Sequence, residues 1–215
     1  PFRIGMPDSM PKSVVHRLIE PALRVDRPGR LVCREAPLAE LLAELAVHRL
    51  DLVIADRPIP PDISVRGYST LLGESTLTVF AAPALAAGRE GALPAVLDRA
   101  PFLLPGADVA HRAPLLQWFE RARIQPQVVA EFDDSALMKA FGQGGAGFFV
   151  APTTIADYVC AQYGVRAVGE IADVGSQIYA ITTERRLSHP AMAAIHRQAA
   201  KALGSGADGA PPRGR

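Results

Sequence analysis

Cysteine is scarce in this 215-residue chain, and the two present, Cys33 and Cys160, are too few and too far apart for a disulfide framework or a zinc site, which needs clustered ligands. A reduced, cytoplasmic chain is the default expectation. A surplus of one charge sign is also missing. Lys+Arg 23 against Asp+Glu 22 leaves a formal charge of +1, so these residues offer no net field to hold a polyanion such as DNA. Long hydrophobic runs are absent too: the charge-free run from Ser75 to Gly88 is too short to span a bilayer and is interrupted by Pro83. No signal-peptide n-region precedes the strand-like pattern that begins at Phe2. The chain opens on Pro1 rather than Met, as expected of a fragment whose N-terminal part has been removed. Apolar material is plentiful. Hydrophobic side chains at 49% and a mean hydropathy of +0.14 suffice for one or two packed cores and exclude a disordered tail protein.

Periodicity supplies the elements. Phe2, Ile4 and Met6 alternate as in a strand, and Pro7-Asp-Ser-Met-Pro11 then opens a helix with Val14, Val15, Leu18, Ile19 and Ala22 at helical spacing, which Pro21 should bend or end. The form repeats: a strand at Leu31–Glu35, a helix from Pro37 with Leu38, Leu41, Leu42 and Leu45 on one face, and an apolar run Leu52–Ala55 suited to a strand buried on both sides. This βαβαβ order implies a parallel sheet. Residues 63–72 and 76–82 read as two extended segments joined at Gly73-Glu74. A second set follows, with strands at 102–104, 128–132 and 148–150 and helices around Leu115-Trp118-Phe119 and from Ser135 to Phe141. Thr153 or Thr154 can cap the next helix, which stops at Gly164. Two further short extended segments, 165–168 and 177–182, are separated by Gly169–Gly175, and a last helix runs from Pro190 through Leu203. The expectation is an α/β fold of two lobes, 1–72 plus 176–203 and 75–171, with a cleft between them and a disordered tail at 204–215.

Gly142-Gln-Gly144-Gly-Ala-Gly147 has the spacing of a dinucleotide-binding loop but the wrong context, since a helix precedes it and a strand follows; it reads as a helix C-cap and turn. No serine occupies a nucleophile elbow, and the cysteines fall on predicted core elements, as small buried hydrophobes do. The histidines at 16, 48, 111, 189 and 196 lack the paired spacing of a metal site, and His189 before Pro190 reads as a helix-start residue. Acidic residues cluster where the cleft should be. Asp8, Asp56, Glu74 and the pair Asp133-Asp134 all end strands or sit at the presumed hinge. Asp8 and one of the pair can serve as helix N-caps. Two adjacent carboxylates exceed what one cap requires, which supports a cation reading, with Asp8, Asp56, Asp133 and Asp134 as ligands of a monovalent ion.

Several stretches carry a family resemblance. Pro11-Lys-Ser13, Leu50-Asp-Leu-Val-Ile-Ala-Asp56 and Leu187-Ser-His-Pro190 resemble the effector-binding domain of LysR-type transcriptional regulators over about Phe2 to Leu203. Arg17-Leu-Ile-Glu-Pro-Ala-Leu23, Cys33-Arg-Glu35, Asp56-Arg-Pro58 and above all Glu131-Phe-Asp-Asp-Ser-Ala-Leu-Met-Lys-Ala-Phe-Gly142 are similar to the NhaR-type branch, activators of sodium/proton antiporter genes that respond to sodium and pH. The resemblance implies a bilobed type II periplasmic-binding-protein-like fold, two α/β subdomains joined by two crossing strands. It also implies a homodimer or homotetramer, and DNA contact made only through an N-terminal winged helix-turn-helix that these residues do not include. By analogy with the family's site, Asp8, Ser9, Met10, Ala36-Pro37, Asp56, Asp133, Asp134 and Ser135 face the cleft and take a small effector, a cation or a small organic molecule. No cofactor, enzymatic activity or membrane partner is expected. The rival reading is a periplasmic-type solute-binding protein, which shares the fold.

Overall fold

The computed structural model describes residues 1–25, 30–89, 91–183 and 189–202. The tail expected at 204–215, Leu203, and Leu187-Ser188 lie outside the described residues.

The first lobe's elements form as their periodicity requires. Strand β1 (Phe2–Met6) leads to α1 (Lys12–Ile19), and at Pro21 the helix tightens into a 3-10 turn over Glu20–Arg24, since proline has no N–H to continue the α-helical ladder. Strand β2 (Leu31–Glu35), helix α2 (Leu38–Ala46) and strand β3 (Leu52–Ala55) follow. β1 pairs parallel with both β2 and β3. Every residue of β3 is buried, and alternate residues face opposite sides: Leu52 and Ile54 join the core beneath α1, while Val53 and Ala55 join the core shared with Leu41, Leu42 and Leu45 of α2. Gly5 is what lets α2 approach, because a Cβ there would meet the Leu50 and Leu41 side chains at 2.7 and 2.8 Å.

Strand β4 (Tyr68–Ala81) comes next, then a short helix α3 (Pro83–Ala87), a 3-10 turn at Ala95–Leu97, and the second set: β5 (Pro101–Pro105), α4 (Arg112–Ala122), β6 (Gln127–Phe132), α5 (Ser135–Gln143) and β7 (Phe149–Pro152). Helix α6 (Ala156–Tyr163), strand β8 (Arg166–Thr182) and helix α7 (Pro190–Ala202) complete the chain. The larger sheet has the order β2-β1-β3-β8-β4-β7; β5 and β6 pair parallel and touch it through a parallel bridge between Phe102 and Phe148.

At the crossings the structure differs from the expectation. Each pair of short extended segments is one long strand: β4 and β8 pair antiparallel from Tyr68↔Thr182 to Ala81↔Arg166, with Gly73 inside the ladder opposite Ile178. Gly73, Gly169 and Gly175 read locally as breaks, but the partner strand supplies their hydrogen bonds, and the chain bends at register shifts between Leu71 and Gly73, Thr76 and Leu77, and Val79 and Phe80. The ladder therefore resumes after each shift, the largest of which bulges residues 172–174 out between Thr76↔Gly175 and Leu77↔Ile171. β3 flanks one end of the β4–β8 pair and β7 the other.

Local chemistry corrects three smaller expectations. Neither Thr153 nor Thr154 caps α6; a 3-10 turn at Thr153–Ile155 precedes that helix, and the Thr153 hydroxyl instead bonds those of Thr76 and Thr78, each at 2.9 Å. Asp8 is no cap either, because Pro11 holds the N-cap position of α1 and the helix has no side-chain cap. Cys33 is exposed and so is no core hydrophobe, whereas Cys160 is half-buried and packs against the core. Both His189 and Gly164 behave as read: His189 Nδ1 accepts from Ala191 N at 3.2 Å at the start of α7, and Gly164 ends α6 in the left-handed region at φ 61°.

Candidate effector site

The loops that end β1, β3, β5 and β6 converge on one side of the β4–β8 crossing and enclose three adjoining cavities. One of about 530 Å³ lies over the crossing, against Asp56, Arg57, Glu74, His111 and Gln177. A second, about 300 Å³, opens between Pro7–Ser9, Ala36–Ala39 and Val109. A third of about 20 Å³ sits deeper, between Ser9, His111, Ser135 and Lys139.

Asp56 stands where the first two meet. Placed at the end of the fully buried β3, its carboxylate takes the Arg57 Nε donor at 3.1 Å on one oxygen; on the other it accepts from Ser9 Oγ at 3.4 Å and from the backbone N–H of Ala110 at 2.9 Å. The last bond ties the end of β3 to the loop before α4. Next to it, burial drives His111 down to about 4, with the charges of Lys139 and Arg57 adding to the effect and Asp56 opposing it. His111 is thus neutral at physiological pH, and its ring lines both the outer and the deep cavity. Lys139 is 4% exposed. Burial lowers it to about 8, helped by Lys12 and resisted by Asp134.

The acids fall into separate roles. Asp134 is the N-cap of α5, its Oδ1 accepting from Ala136 N at 2.7 Å, and it lines none of the three cavities. Asp133 lines the second and third cavities and packs over Gly106, where an added Cβ would lie 1.9 Å from its Oδ1. Asp8 lines the second cavity and belongs with Glu35 around Lys12, whose Nζ is 2.7 Å from Glu35 and 4.0 Å from Asp8. Its carboxyl is raised, chiefly by the hydrogen bond it shares with Glu35 and then by burial. Asp8, Asp56 and Asp133 thus share the lining of the second cavity while Asp134 stands outside it, and the four do not form one cation site. Asp134 is engaged by the helix, Lys12 already supplies a positive charge to Asp8, and among the described residues no group of three or more His, Cys, Asp or Glu is placed to hold a metal ion.

Of the other expected site residues, Ser9 and Ser135 line the deep cavity and Ala36-Pro37 the second, whereas Met10 is 1% exposed within the core beneath α1 and lines none of the three cavities. Arg57, His111 and Lys139 were not singled out from the sequence as site residues. Lys139 left a trace there: it is one of only three lysines, four residues beyond Ser135, beside the apolar positions Met138 and Gly142.

The sequence pattern of the LysR substrate binding domain matches residues 1–204. The chain belongs to that family. It is 32% identical over 194 residues to the transcriptional activator protein NhaR of Escherichia coli (strain K12), an alignment covering 90% of this chain and 64% of NhaR, so the chain spans less than two-thirds of that relative's length. Among solved structures, the effector binding domain of QuiR in complex with shikimate superposes with a TM-score of 0.66 at 16% identity, covering 94% of this chain and 96% of that one. The regulatory domain of HypT from Salmonella typhimurium, in its apo form, gives 0.70 at 13% identity over 94% of both. The fold is the type II periplasmic-binding-protein-like fold of LysR regulatory domains, and the relatives are transcription regulators. Among the described residues no helix is long and apolar enough to cross a membrane.

Proposed function

We propose that this chain is the effector-sensing part of a cytoplasmic LysR-type activator of sodium/proton antiporter or cation and pH stress genes. Its lobes are residues 1–72 with 176–203 and residues 75–171, and DNA is contacted by a winged helix-turn-helix outside this sequence. The observation that carries the reading is the Asp56 carboxylate. It grips Ser9 of the first lobe and the Ala110 N–H of the second at 2.9 Å, so a small molecule entering beside it touches both walls and favours one lobe arrangement by its differential affinity. Similarity to NhaR supports the choice of target genes.

The assembly is a homodimer or homotetramer. Val15 and Ile19, two of the four apolar residues of α1, are 3% and 9% exposed and belong to the core, so they offer no interface. Val128, Val129, Leu137 and Phe141 on β6 and α5 stay 42 to 49% exposed and form the apolar surface a second subunit would cover.

A thermal-shift screen of sodium, lithium, potassium and small carboxylates at about pH 6 and about pH 8.5, on the native chain and on Asp56→Ala, tests the reading. A ligand of the cleft raises the melting temperature of the native chain and loses most of that effect in the variant. Equal shifts in both proteins would place binding elsewhere.

A further inference from the structure

The buried cation that no carboxylate answers is Lys139. Its side chain runs back toward the N-terminus of α5, as long side chains on helices do, and Nζ donates to the Ser135 carbonyl at 3.1 Å. An ammonium has three protons to donate. Among the described residues no carboxylate oxygen lies within the 4.0 Å of an ion pair to Lys139; the charge of Asp134 acts on it, but that carboxylate is engaged by the Ala136 N–H. One helical turn away the Ser135 hydroxyl oxygen is shielded from solvent and has no hydrogen-bond partner. Both side chains line the deep cavity.

We propose that Lys139 Nζ and Ser135 Oγ hold a small monovalent anion in this cavity, a halide ion or the carboxylate head of a compact acid. Buried charges are paired as a rule, since removing an ammonium from water without a counter-charge is costly, and a buried hydroxyl left unbonded adds to that cost. An anion relieves both at once, and the positive end of the nine-residue α5 favours the same sign. Size limits the occupant. About 20 Å³ is room for roughly one water-sized body, too little for sulfate or phosphate. A carboxylate head fits if the rest of the molecule extends into the 300 Å³ cavity, which shares Ser9, Val109 and Asp133 with the deep one. Asp133 brings a negative charge to the same lining, which restricts the occupant to a single charge. The site deepens the effector-cleft reading and rests on it only for its regulatory meaning.

The test is thermal denaturation of the 215-residue chain at pH 7 in sodium chloride, formate or acetate, against sodium gluconate at equal ionic strength as the bulky reference. Sodium is held constant throughout. Either chloride or the small carboxylates should give a saturable rise of roughly 2–4 °C over gluconate, absent in Lys139→Met and reduced in Ser135→Ala; which anion is better identifies the source. A second readout follows the ε-carbons of the three lysines, Lys12, Lys139 and Lys201, by NMR. The effective anion should move the Lys139 titration upward from about 8 by roughly one unit, which corresponds to tenfold tighter binding to the charged form, and leave the other two unmoved. Melting temperatures equal to gluconate in every salt, a rise that persists in Lys139→Met, or a Lys139 titration that no anion displaces would each overturn the proposal. Such a failure leaves the regulator reading standing, because sodium never varies here.

Discussion

Replacing Lys139 with methionine should stabilise the folded chain at neutral pH, an unusual outcome for a buried substitution. The side chain is 4% exposed, and burial lowers its pKa from 10.5 to about 8. At about 1.4 kcal/mol per unit, that displacement corresponds to about 3 kcal/mol that the folded state spends below pH 8 to keep the ammonium charged. The sign follows from proton counting: between pH 8 and 10.5 the unfolded chain binds more protons than the folded one, so stability rises with pH across that window. Methionine fills a similar volume with no charge to desolvate and forfeits the bond to the Ser135 carbonyl, worth about 1 kcal/mol. The net gain at pH 7 is about 2 kcal/mol, or roughly 4–8 °C for a chain of this size. Urea unfolding of both proteins at pH 7 and about pH 10, in gluconate so that no small anion compensates the charge, reads the difference directly. The gap should narrow at the higher pH, and other titrating groups cancel because the two proteins share them. A variant less stable than the parent at pH 7, or a gap unchanged with pH, would refute the assignment of Lys139 as a buried, unpaired cation.

Further consequences concern the cleft walls and the surface. His111, held down at about 4 by burial, binds protons later than its unfolded counterpart at 6.5, so stability should fall as pH drops from about 6.5 to 4, by up to about 3 kcal/mol; His111→Gln should flatten that part of the urea-midpoint profile. Asp56→Ala removes the acceptor for Ser9 and Ala110 and should cost about 1–3 kcal/mol while broadening the small-angle scattering envelope as the walls part; an unchanged envelope would deny Asp56 its bridging role. Gly106→Ala places a methyl 1.9 Å from Asp133 Oδ1 and 3.0 Å from its Cα, an overpacking expected to cost about 1–3 kcal/mol in thermal or urea melts. Phe141→Glu should convert a dimer to a monomer by light scattering at tens of micromolar with little change in melting temperature, since Phe141 is 48% exposed.

Local periodicity was legible wherever neighbours in sequence share one environment. β1 lies at the residues its alternation marks, β2 and β3 lie at Leu31–Glu35 and the apolar run Leu52–Ala55, and Pro21 and Gly164 end helices for the reasons their chemistry dictates. The crossings escape a local reading because Gly73, Gly169 and Gly175 weaken a strand only in isolation; a ladder between residues about a hundred positions apart in the chain, such as Gly73 and Ile178, leaves no local mark. Charge placement is hidden for a related reason. Asp133-Asp134 looks like a surplus of carboxylates in sequence, yet in space one caps α5 and the other packs over Gly106. The unmatched charge is positive, at Lys139, and only burial reveals it. Met10 shows the limit of carrying a site across by analogy: it lies on the loop between β1 and α1, but its side chain turns into the core.

The central claim is that this chain senses an effector through its inter-lobe cleft on behalf of a DNA-binding segment. Residues 1–204, the stretch that matches the family, can be grafted in place of the corresponding part of Escherichia coli NhaR, with promoter occupancy and reporter transcription read together at low and high sodium. The chimera should occupy an antiporter promoter and activate transcription in a sodium-dependent way, and the Asp56→Ala chimera should keep the occupancy and lose the response. A chimera that occupies the promoter yet transcribes equally with sodium or potassium, or whose sodium response survives Asp56→Ala unchanged, would contradict the assignment.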